Sequence, residues 1–307
     1  MKPAGDTVLD NAMHAAVAYL LARQAADGHW EDYRLPVGRS DAWVTGYVGV
    51  ALAESDDSEA VRRSVDHAAC WLETHRPYPQ GWGYNASTGP DADSSAFALT
   101  LLRLAGKKPL MADLDWLRQR WHPQGGFATY PRGDAWGAPH NDVMPAAFLA
   151  LDGDDRSALR DDVLGVLART RETDGTWPSY WWRTCHYAIW WSLRLLRVLG
   201  VPPDGSAPVV DTCEQHAVHG AFDLALVTGI ACLQQASPQL IAALAGKLTG
   251  MQQADGAWTG GRNLRVTDPH CYQPWSGGTA CGALYADDAH LITTATALRV
   301  LADVNAR

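Results

Sequence analysis

The sequence predicts an all-α protein built from six pairs of helices, on the basis of a repeated turn and a helical pattern of apolar residues. A glycine lies beside an aromatic residue in five short polar turns, which end at Trp30, Trp82, Phe127, Trp177 and Trp258. These aromatic residues are 52, 45, 50 and 81 residues apart, so the last interval is close to two periods. Apolar residues recur at helical spacing between the turns, and no segment alternates as a half-buried strand would. A period of this length is typical of repeat architectures.

Twelve helices are predicted between the turns, with Pro, Gly and Asp at their boundaries. Their expected bounds are 9–25, 41–53, 58–75, 94–105, 112–121, 142–151, 155–170, 185–199, 211–217, 221–235, 238–252 and 288–303. The first helix of a pair is the more charged one, which predicts an outer helix, and the second is small and apolar, which predicts an inner one. Six such pairs can close into a single α/α toroid domain, residues 1–307, whose inner helices line a central cavity.

Composition argues against several classes of protein. The net charge of −9 disfavours a broad nucleic-acid surface, and no apolar stretch is long enough to cross a membrane. The first residues lack the apolar segment of a signal peptide, so we expect a cytoplasmic protein whose six cysteines are thiols or ligands and form no disulfides. Fourteen tryptophans against four phenylalanines exceed what the turns require, and the surplus is expected to line a cavity.

The turns also resemble those of a known superfamily. The Gln-x-x-x-Gly-x-Trp pattern of Gln24 to Trp30 and of Gln252 to Trp258 is similar to the repeats of squalene–hopene and oxidosqualene cyclases. It is similar as well to the repeats of class II diterpene cyclases and of protein prenyltransferase β subunits. The resemblance covers most of the chain and implies an (α/α)6 barrel. Because a fold does not determine a function, the site has to be argued separately.

A candidate proton donor lies at the start of the second inner helix, in Asp91-Ala-Asp93-Ser94-Ser95-Ala96. The segment resembles the Asp-x-Asp-Asp-Thr-Ala helix start of class II cyclases, whose middle Asp opens a carbocation cascade. The resemblance assigns that role to Asp93, with Asp91 as a second carboxylate that could share its proton, and Ser94 replaces the last Asp. Such an acid must be kept protonated by desolvation in an apolar cavity.

Asp93 also has a structural interpretation. Asp is a favoured helix N-cap, and Asp41, Asp142 and Asp288 precede other predicted inner helices at what we expect to be equivalent positions. Asp93 could therefore cap its helix or orient a substrate, and the sequence leaves these alternatives open.

A second group of residues resembles the zinc site of prenyltransferase β subunits. The resemblance implies Asp268, Cys271 and His290 as zinc ligands, and Arg262 and Arg265 as ligands of a diphosphate. The spacing departs from the family pattern, and Cys281 with His270 could complete a local site instead. The alternative interpretation of residues 256–286 is a long loop over the cavity mouth.

The surplus aromatic residues are expected to form a pocket for a hydrophobic small molecule, because aromatic faces can stabilise a developing cation. The pocket candidates are Trp43, Tyr47, Phe97, Trp181, Trp182 and Tyr187, with His186 and His219 at the same rim and Cys185, Cys213 and His216 nearby.

These features favour a terpene-cyclase-like enzyme that protonates and then cyclises or isomerises an isoprenoid or isoprenoid-derived molecule, without a required cofactor. Because one toroid is smaller than the two barrels of class II cyclases, a homo-oligomer or a partner chain could complete the cavity. One alternative is a zinc-dependent prenyl or alkyl transferase. Another is a non-catalytic toroid that binds an apolar ligand or a peptide. Glycan hydrolysis by paired carboxylates is less favoured, because few Glu lie near inner-helix starts.

Overall fold

The computed structural model describes residues 4–202, 218–276 and 281–307, which are mainly helical. They contain eleven helices: α1 (Ala4–Ala22), α2 (Ala42–Ser55), α3 (Glu59–Thr74), α4 (Ala92–Leu104), α5 (Met111–Arg118), α6 (Met144–Leu149), α7 (Gly153–Thr170), α8 (His186–Val198), α9 (Ala221–Leu233), α10 (Pro238–Gly250) and α11 (Leu291–Asn305). The helix predicted over 211–217 lies outside the described residues. None of the described helices has the length and hydropathy needed to cross a membrane.

Two antiparallel hairpins are present in the described residues, so the expectation of no strands was wrong. Strand β1 (Asp32–Leu35) pairs with β2 (Gly38–Ser40), and β3 (Arg262–Thr267) pairs with β4 (Gly282–Ala286). The strands were missed because they are short and because β3 does not alternate. Its consecutive residues Asn263, Leu264 and Arg265 are all buried.

The inner helices pack side by side in a closed ring. Helix α2 packs on α4, α4 on α6, α6 on α8, α8 on α9, α9 on α11, and α11 on α2. Helices α1, α3, α5 and α10 pack outside this ring, against α11, α2, α4 and α9 respectively. Every residue of α9 is buried, whereas α3 exposes its charged residues, as the sequence predicted for inner and outer helices.

The tryptophan of the repeated turn binds the end of an outer helix. The indole N–H groups of Trp30, Trp82, Trp177 and Trp258 each donate a hydrogen bond to the carbonyl ten residues earlier, at 2.6–2.9 Å. Each acceptor lies in the last turn of its helix, where the carbonyls have no intrahelical donor. The acceptors are Leu20, Leu72, Leu167 and Leu248. The turn is therefore a helix-capping device that is used four times.

The glycine and the glutamine of the turn have separate roles. Gly256 has a φ of +91°, and a Cβ there would lie 2.2 Å from the carbonyl oxygen of Ala15, so only glycine fits. The Nε2 of Gln252 donates to the carbonyls of Gly256 and of Ala12 in α1. This contact joins the turn after α10 to the first helix of the chain.

The acidic residues before the inner helices do not occupy equivalent positions, contrary to our expectation. Asp41 is the N-cap of α2, but the N-cap of α4 is Asp91. Asp142 binds the backbone N–H groups of Tyr180 and Trp181, far along the chain. At the start of α11 the carboxylates of Asp32 and Asp287, and not that of Asp288, accept the backbone N–H groups of Leu291, Ile292 and Thr293. The positions differ because the loops between turn and helix differ in length.

We expect Trp177→Phe to destabilise the fold while keeping an aromatic ring in the core. It leaves the buried carbonyl of Leu167 without its donor, which costs about 1–3 kcal/mol of the free energy of unfolding. Urea unfolding measures this loss. The matched control is Trp121→Phe, because the indole of Trp121 makes no hydrogen bond within the described residues but packs edge-on against Phe127. Equal losses in the two variants would contradict the capping role.

Candidate active site

A cavity of about 300 Å³ lies at the N-terminal ends of the inner helices, a size at the lower end of the range for ligand pockets. Residues at or just before the starts of α2, α4, α6 and α8 form its wall: Trp43, Asp91, Asp93, Ser94, Asp142, Val143, Trp181 and Trp182. The two hairpins also contribute to the wall, with Leu35, Pro36 and Val37 from the first and Leu264, Arg265, Val266 and Tyr285 from the second. We call this space the acid cavity.

Asp93 faces the acid cavity and does not cap its helix. Helix α4 begins at Ala92, and the cap is Asp91, whose Oδ1 accepts the N–H of Ser94 at 2.8 Å and whose Oδ2 accepts the Ser94 hydroxyl at 2.7 Å. Asp93 Oδ1 is buried and has no hydrogen-bond partner among the described residues. The capping interpretation of Asp93 was therefore wrong, because Asp91 fills that position.

The surroundings of Asp93 favour its neutral form. Burial raises the pKa of Asp93 well above its usual range, and the neighbouring Asp91 and Asp142 raise it further. The nearby indole of Trp43 lowers this pKa in part, although its N–H falls short of hydrogen-bond geometry. A carboxyl in such an environment holds its proton at neutral pH.

Asp91 and Asp142 complete a group of three carboxyls around the acid cavity. Burial raises the pKa of each to about 6, although each accepts hydrogen bonds from backbone N–H groups, which lower it. With a pKa of about 6, Asp91 and Asp142 are mainly ionised at pH 7, whereas the more strongly raised pKa of Asp93 favours its neutral form. The cavity therefore places one carboxyl that favours its neutral form beside two carboxyls of lower pKa.

Aromatic rings cover much of the remaining wall. Trp43, Trp181 and Trp182 line the acid cavity, and the ring centroids of Trp43 and Trp182 are 6.1 Å apart. The wall also contains four aromatic residues that were not predicted from the sequence: Tyr84, Tyr130, Trp136 and Tyr285. A usable signal existed for the first two, because Tyr84 and Tyr130 follow the turn aromatics Trp82 and Phe127 by two and three residues.

The other aromatic candidates lie deeper in the ring and do not line the acid cavity. Tyr47 and Phe97 follow Trp43 and Asp93 by four residues, so each lies one helical turn further in on the same face. Phe97 packs against Tyr47 and Trp191, with ring centroids 4.9 and 5.6 Å apart. Tyr187 is buried beside the same Trp191. These rings form an aromatic layer, which we define as Tyr47, Phe97, Tyr187 and Trp191.

His186 also lies away from the acid cavity. It is fully buried, and its Nδ1 lies 3.4 Å from Oδ1 of Asp223. His219 and Arg262 line a small pocket beside Arg183 and Asp223, separate from the acid cavity. The structure therefore does not bring these three candidates together with Asp93.

Arg265 is the predicted basic residue that does reach the acid cavity. It is buried on β3, and its Nη2 donates to the carbonyl of Arg183 at 3.2 Å. Its Nη1 has no hydrogen-bond partner in the part of the chain that the structure describes. Burial lowers the pKa of Arg265, and the charge of Asp142 raises it. The guanidinium can therefore bind a polar or anionic group inside the cavity.

The residues predicted to bind zinc do not converge. Cys271 forms a disulfide with Cys281, with the Cα atoms 5.6 Å apart, so the expectation that the cysteines form no disulfide was wrong. The two cysteines meet because the pairing of Thr267 with Gly282 brings the chain on either side of the hairpin together. The sulfur of Cys271 is thus not a free thiolate.

The other two predicted zinc ligands, His290 and Asp268, accept hydrogen bonds from backbone N–H groups. His290 Nδ1 accepts the N–H of Gly260 at 3.0 Å, and Asp268 Oδ1 accepts the N–H of His270 at 2.8 Å. Within residues 4–202, 218–276 and 281–307, no three His, Cys, Asp or Glu side chains are grouped as a metal site requires. Cys213 and His216 lie outside these ranges.

No protein-family model matches the chain, and no curated protein matches its sequence. Solved structures do match. Type II terpene cyclase MstE from Scytonema has a TM-score of 0.86 at 23% identity, over 98% of this chain and 99% of that one. An Asp-to-Asn variant of MstE, in complex with its substrate geranylgeranyl dihydroxybenzoate, has a TM-score of 0.86 at 22% identity, over 100% and 99% of the two chains.

A protein from Actinoplanes has a TM-score of 0.84 at 27% identity, over 96% of this chain and 99% of that one. These matches extend across nearly the whole of each chain. They confirm, at the level of the fold, the resemblance that the repeated turns indicated: this chain has the fold of a type II terpene cyclase.

Proposed function

We propose that this chain is a class II terpene-cyclase-like enzyme, which protonates an isoprenoid or isoprenoid-derived small molecule and then cyclises or isomerises it. The observation that carries the proposal is Asp93, a carboxyl with a strongly raised pKa that opens into an aromatic-lined cavity. The fold shared with MstE supports it, since MstE structures contain its substrate and its product, merosterolic acid A. The closed ring of inner helices supports an (α/α)6 toroid that forms one domain, residues 1–307.

Asp93 is assigned the role of general acid. Its proton adds to one carbon of an alkene, the π electrons form the new C–H bond, and the neighbouring carbon becomes cationic. A second alkene of the same molecule then attacks that cation and closes a ring. Loss of a proton from the last cation forms an alkene again, so the substrate and the product are isomers and no cofactor is consumed.

The remaining side chains of the cavity stabilise the cation. The faces of Trp43, Trp181 and Trp182 attract positive charge and exclude the water that would quench it. Asp91 and Asp142, ionised at pH 7, add negative charge on the same wall. Their charges also favour the return of a proton to Asp93 after each turnover, since they raise its pKa.

The cavity also constrains the substrate. Its volume of about 300 Å³ and its apolar wall favour a small isoprenoid, and the free Nη1 of Arg265 suits a polar or anionic group on that molecule. The zinc-dependent transferase is not proposed, because Cys271 is held in a disulfide. A partner chain or homo-oligomer that completes the cavity stays a prediction, as does the cytoplasmic location.

Asp93→Asn is expected to lower the cyclisation rate by at least about 100-fold, since a positioned general acid contributes about 10²–10⁴-fold. The assay incubates purified protein with a panel of C10 to C20 prenyl alcohols, prenyl diphosphates and prenylated hydroxybenzoates, and detects isomeric products by mass spectrometry. In D₂O the wild-type product should contain deuterium. The matched control is Asp41→Asn, which keeps an N-cap at α2 and does not line the cavity. Equal rates for wild type and Asp93→Asn would exclude Asp93 as the acid.

Asp93→Asn is also expected to change how stability depends on pH. Because the pKa of Asp93 is raised in the folded state, its stabilising contribution is complete below the unfolded value of about 3.9 and is lost as pH rises through the folded value. The Tm of the wild type should therefore fall relative to that of the variant as pH increases from 4 to 9. Differential scanning fluorimetry measures this, with Asp161→Asn on the exposed face of α7 as the control. If the plots of Tm against pH for Asp93→Asn and wild type run parallel, the assignment of a raised pKa to Asp93 is contradicted.

A further inference from the structure

A second cavity, of about 520 Å³, lies at the opposite end of the ring of inner helices. Residues from the later turns of α2, α4, α8 and α11 line it, whereas the acid cavity is lined at the helix starts. Phe97 and Trp191 of the aromatic layer form part of its apolar wall, together with Val50, Ala96, Ala146 and Leu149. The aromatic layer thus separates the two cavities.

Four arginines reach this second cavity: Arg156, Arg194, Arg197 and Arg299. The acidic side chains that line it are Glu54 and Asp303. The lining therefore has an excess of positive charge in a chain whose net charge is −9. We call it the basic cavity.

Its two acidic residues already have partners. Oε2 of Glu54 lies 3.1 Å from Nη2 of Arg194 and 2.6 Å from Nη2 of Arg299, and Oδ2 of Asp303 lies 3.0 Å from Nη1 of Arg194. Arg299 is nevertheless incompletely satisfied. Its side chain is 4% exposed, and its buried Nη1 has no hydrogen-bond partner among the described residues. A buried donor without an acceptor costs free energy, which an anion in the cavity would recover.

The other two arginines have no partner at all in the described ranges. Neither Arg156 nor Arg197 makes a side-chain hydrogen bond or ion pair there. The dipole of α8 stabilises the unpaired positive charge of Arg197, which lies in the last turn of that helix. No such stabilisation exists for Arg156, because it lies in the first turn of α7, where the helix dipole makes a positive charge unfavourable. Two guanidinium groups at the rim are therefore free to bind a ligand.

We propose that the basic cavity binds an amphipathic anion, with a phosphate or carboxylate headgroup among the arginines and an apolar tail against Val50, Phe97 and Trp191. The planar guanidinium pairs with two oxygens of either headgroup. The apolar part of the wall makes no favourable contact with a fully hydrated inorganic ion. The proposed ligand therefore needs an apolar tail as well as a charged headgroup. This site is independent of the proposed cyclisation.

The experiment titrates the purified full chain with octyl phosphate, octanoate and inorganic phosphate by isothermal titration calorimetry at low salt. At least one amphipathic probe should bind with one site per chain, and inorganic phosphate should bind at least about tenfold more weakly. Arg156→Gln combined with Arg197→Gln should weaken the bound probe by about tenfold or more, equivalent to about 1.4 kcal/mol. The matched control combines Arg62→Gln with Arg63→Gln, which removes the same charge from the exposed face of α3 and should bind as the wild type does.

Comparison of the two amphipathic probes identifies the preferred headgroup. Three results would overturn the proposal: no binding of either amphipathic probe to the wild type, unchanged binding in the rim double variant, or equal affinity for inorganic phosphate and octyl phosphate. In the second case, loss of binding in Asp93→Asn would assign the ligand to the acid cavity.

Discussion

The hydrogen bond from the turn tryptophan to the end of an outer helix is the interaction on which the rest of the structure depends. The same residue also reaches the following inner helix, because the backbone N–H groups of Trp30, Trp82 and Trp258 donate to the hydroxyls of Thr45, Ser95 and Thr294. The side chain of the tryptophan thus caps the outer helix, and its backbone N–H binds a hydroxyl in the first turns of the inner helix. In these three pairs, the register of the two helices and hence the position of the rim follow from these two bonds.

At α4 this register determines which carboxyl caps the helix and which one has no hydrogen-bond partner among the described residues. Trp82 holds Ser95, and Asp91 accepts both donors of Ser94, so the first turn of the helix is fixed on both sides. Asp93 lies two residues beyond the cap, and two residues correspond to about 200° of rotation around a helix axis. The two carboxyls of the Asp-x-Asp spacing therefore point in different directions. Asp91 accepts the hydrogen bonds at the helix start. Asp93 faces the cavity without a hydrogen bond that would stabilise its ionised form.

Local signals predicted the helix pairs, the turns and much of the cavity wall, because periodicity and glycine act over a few residues. Trp43, Trp181 and Trp182 were selected for their places near helix starts, and Asp93 and Arg265 because their segments resemble family motifs. All five line the acid cavity. The depth of a residue along its helix was not predictable in this way. Tyr47 and Phe97 lie on the same helix faces as Trp43 and Asp93 but one turn further in, so they do not line the acid cavity. The β3–β4 pairing and the Cys271–Cys281 bond join residues on either side of an intervening loop, which no local pattern encodes.

The common direction of the inner helices gives the two ends of the ring opposite electrostatic environments. Their N-termini surround the acid cavity and favour negative charge there, and their C-termini surround the basic cavity and favour positive charge. The arginines of α8 and α11 that line the basic cavity follow this rule, but Asp93 opposes it, since a helix N-terminus should promote ionisation. Burial and the charges of Asp91 and Asp142 outweigh the dipole of α4, whose free N–H groups Asp91 already occupies. The cap therefore adds to the effect of burial on Asp93. Asp91 accepts the hydrogen bonds of the helix start, and its negative charge further raises the pKa of Asp93.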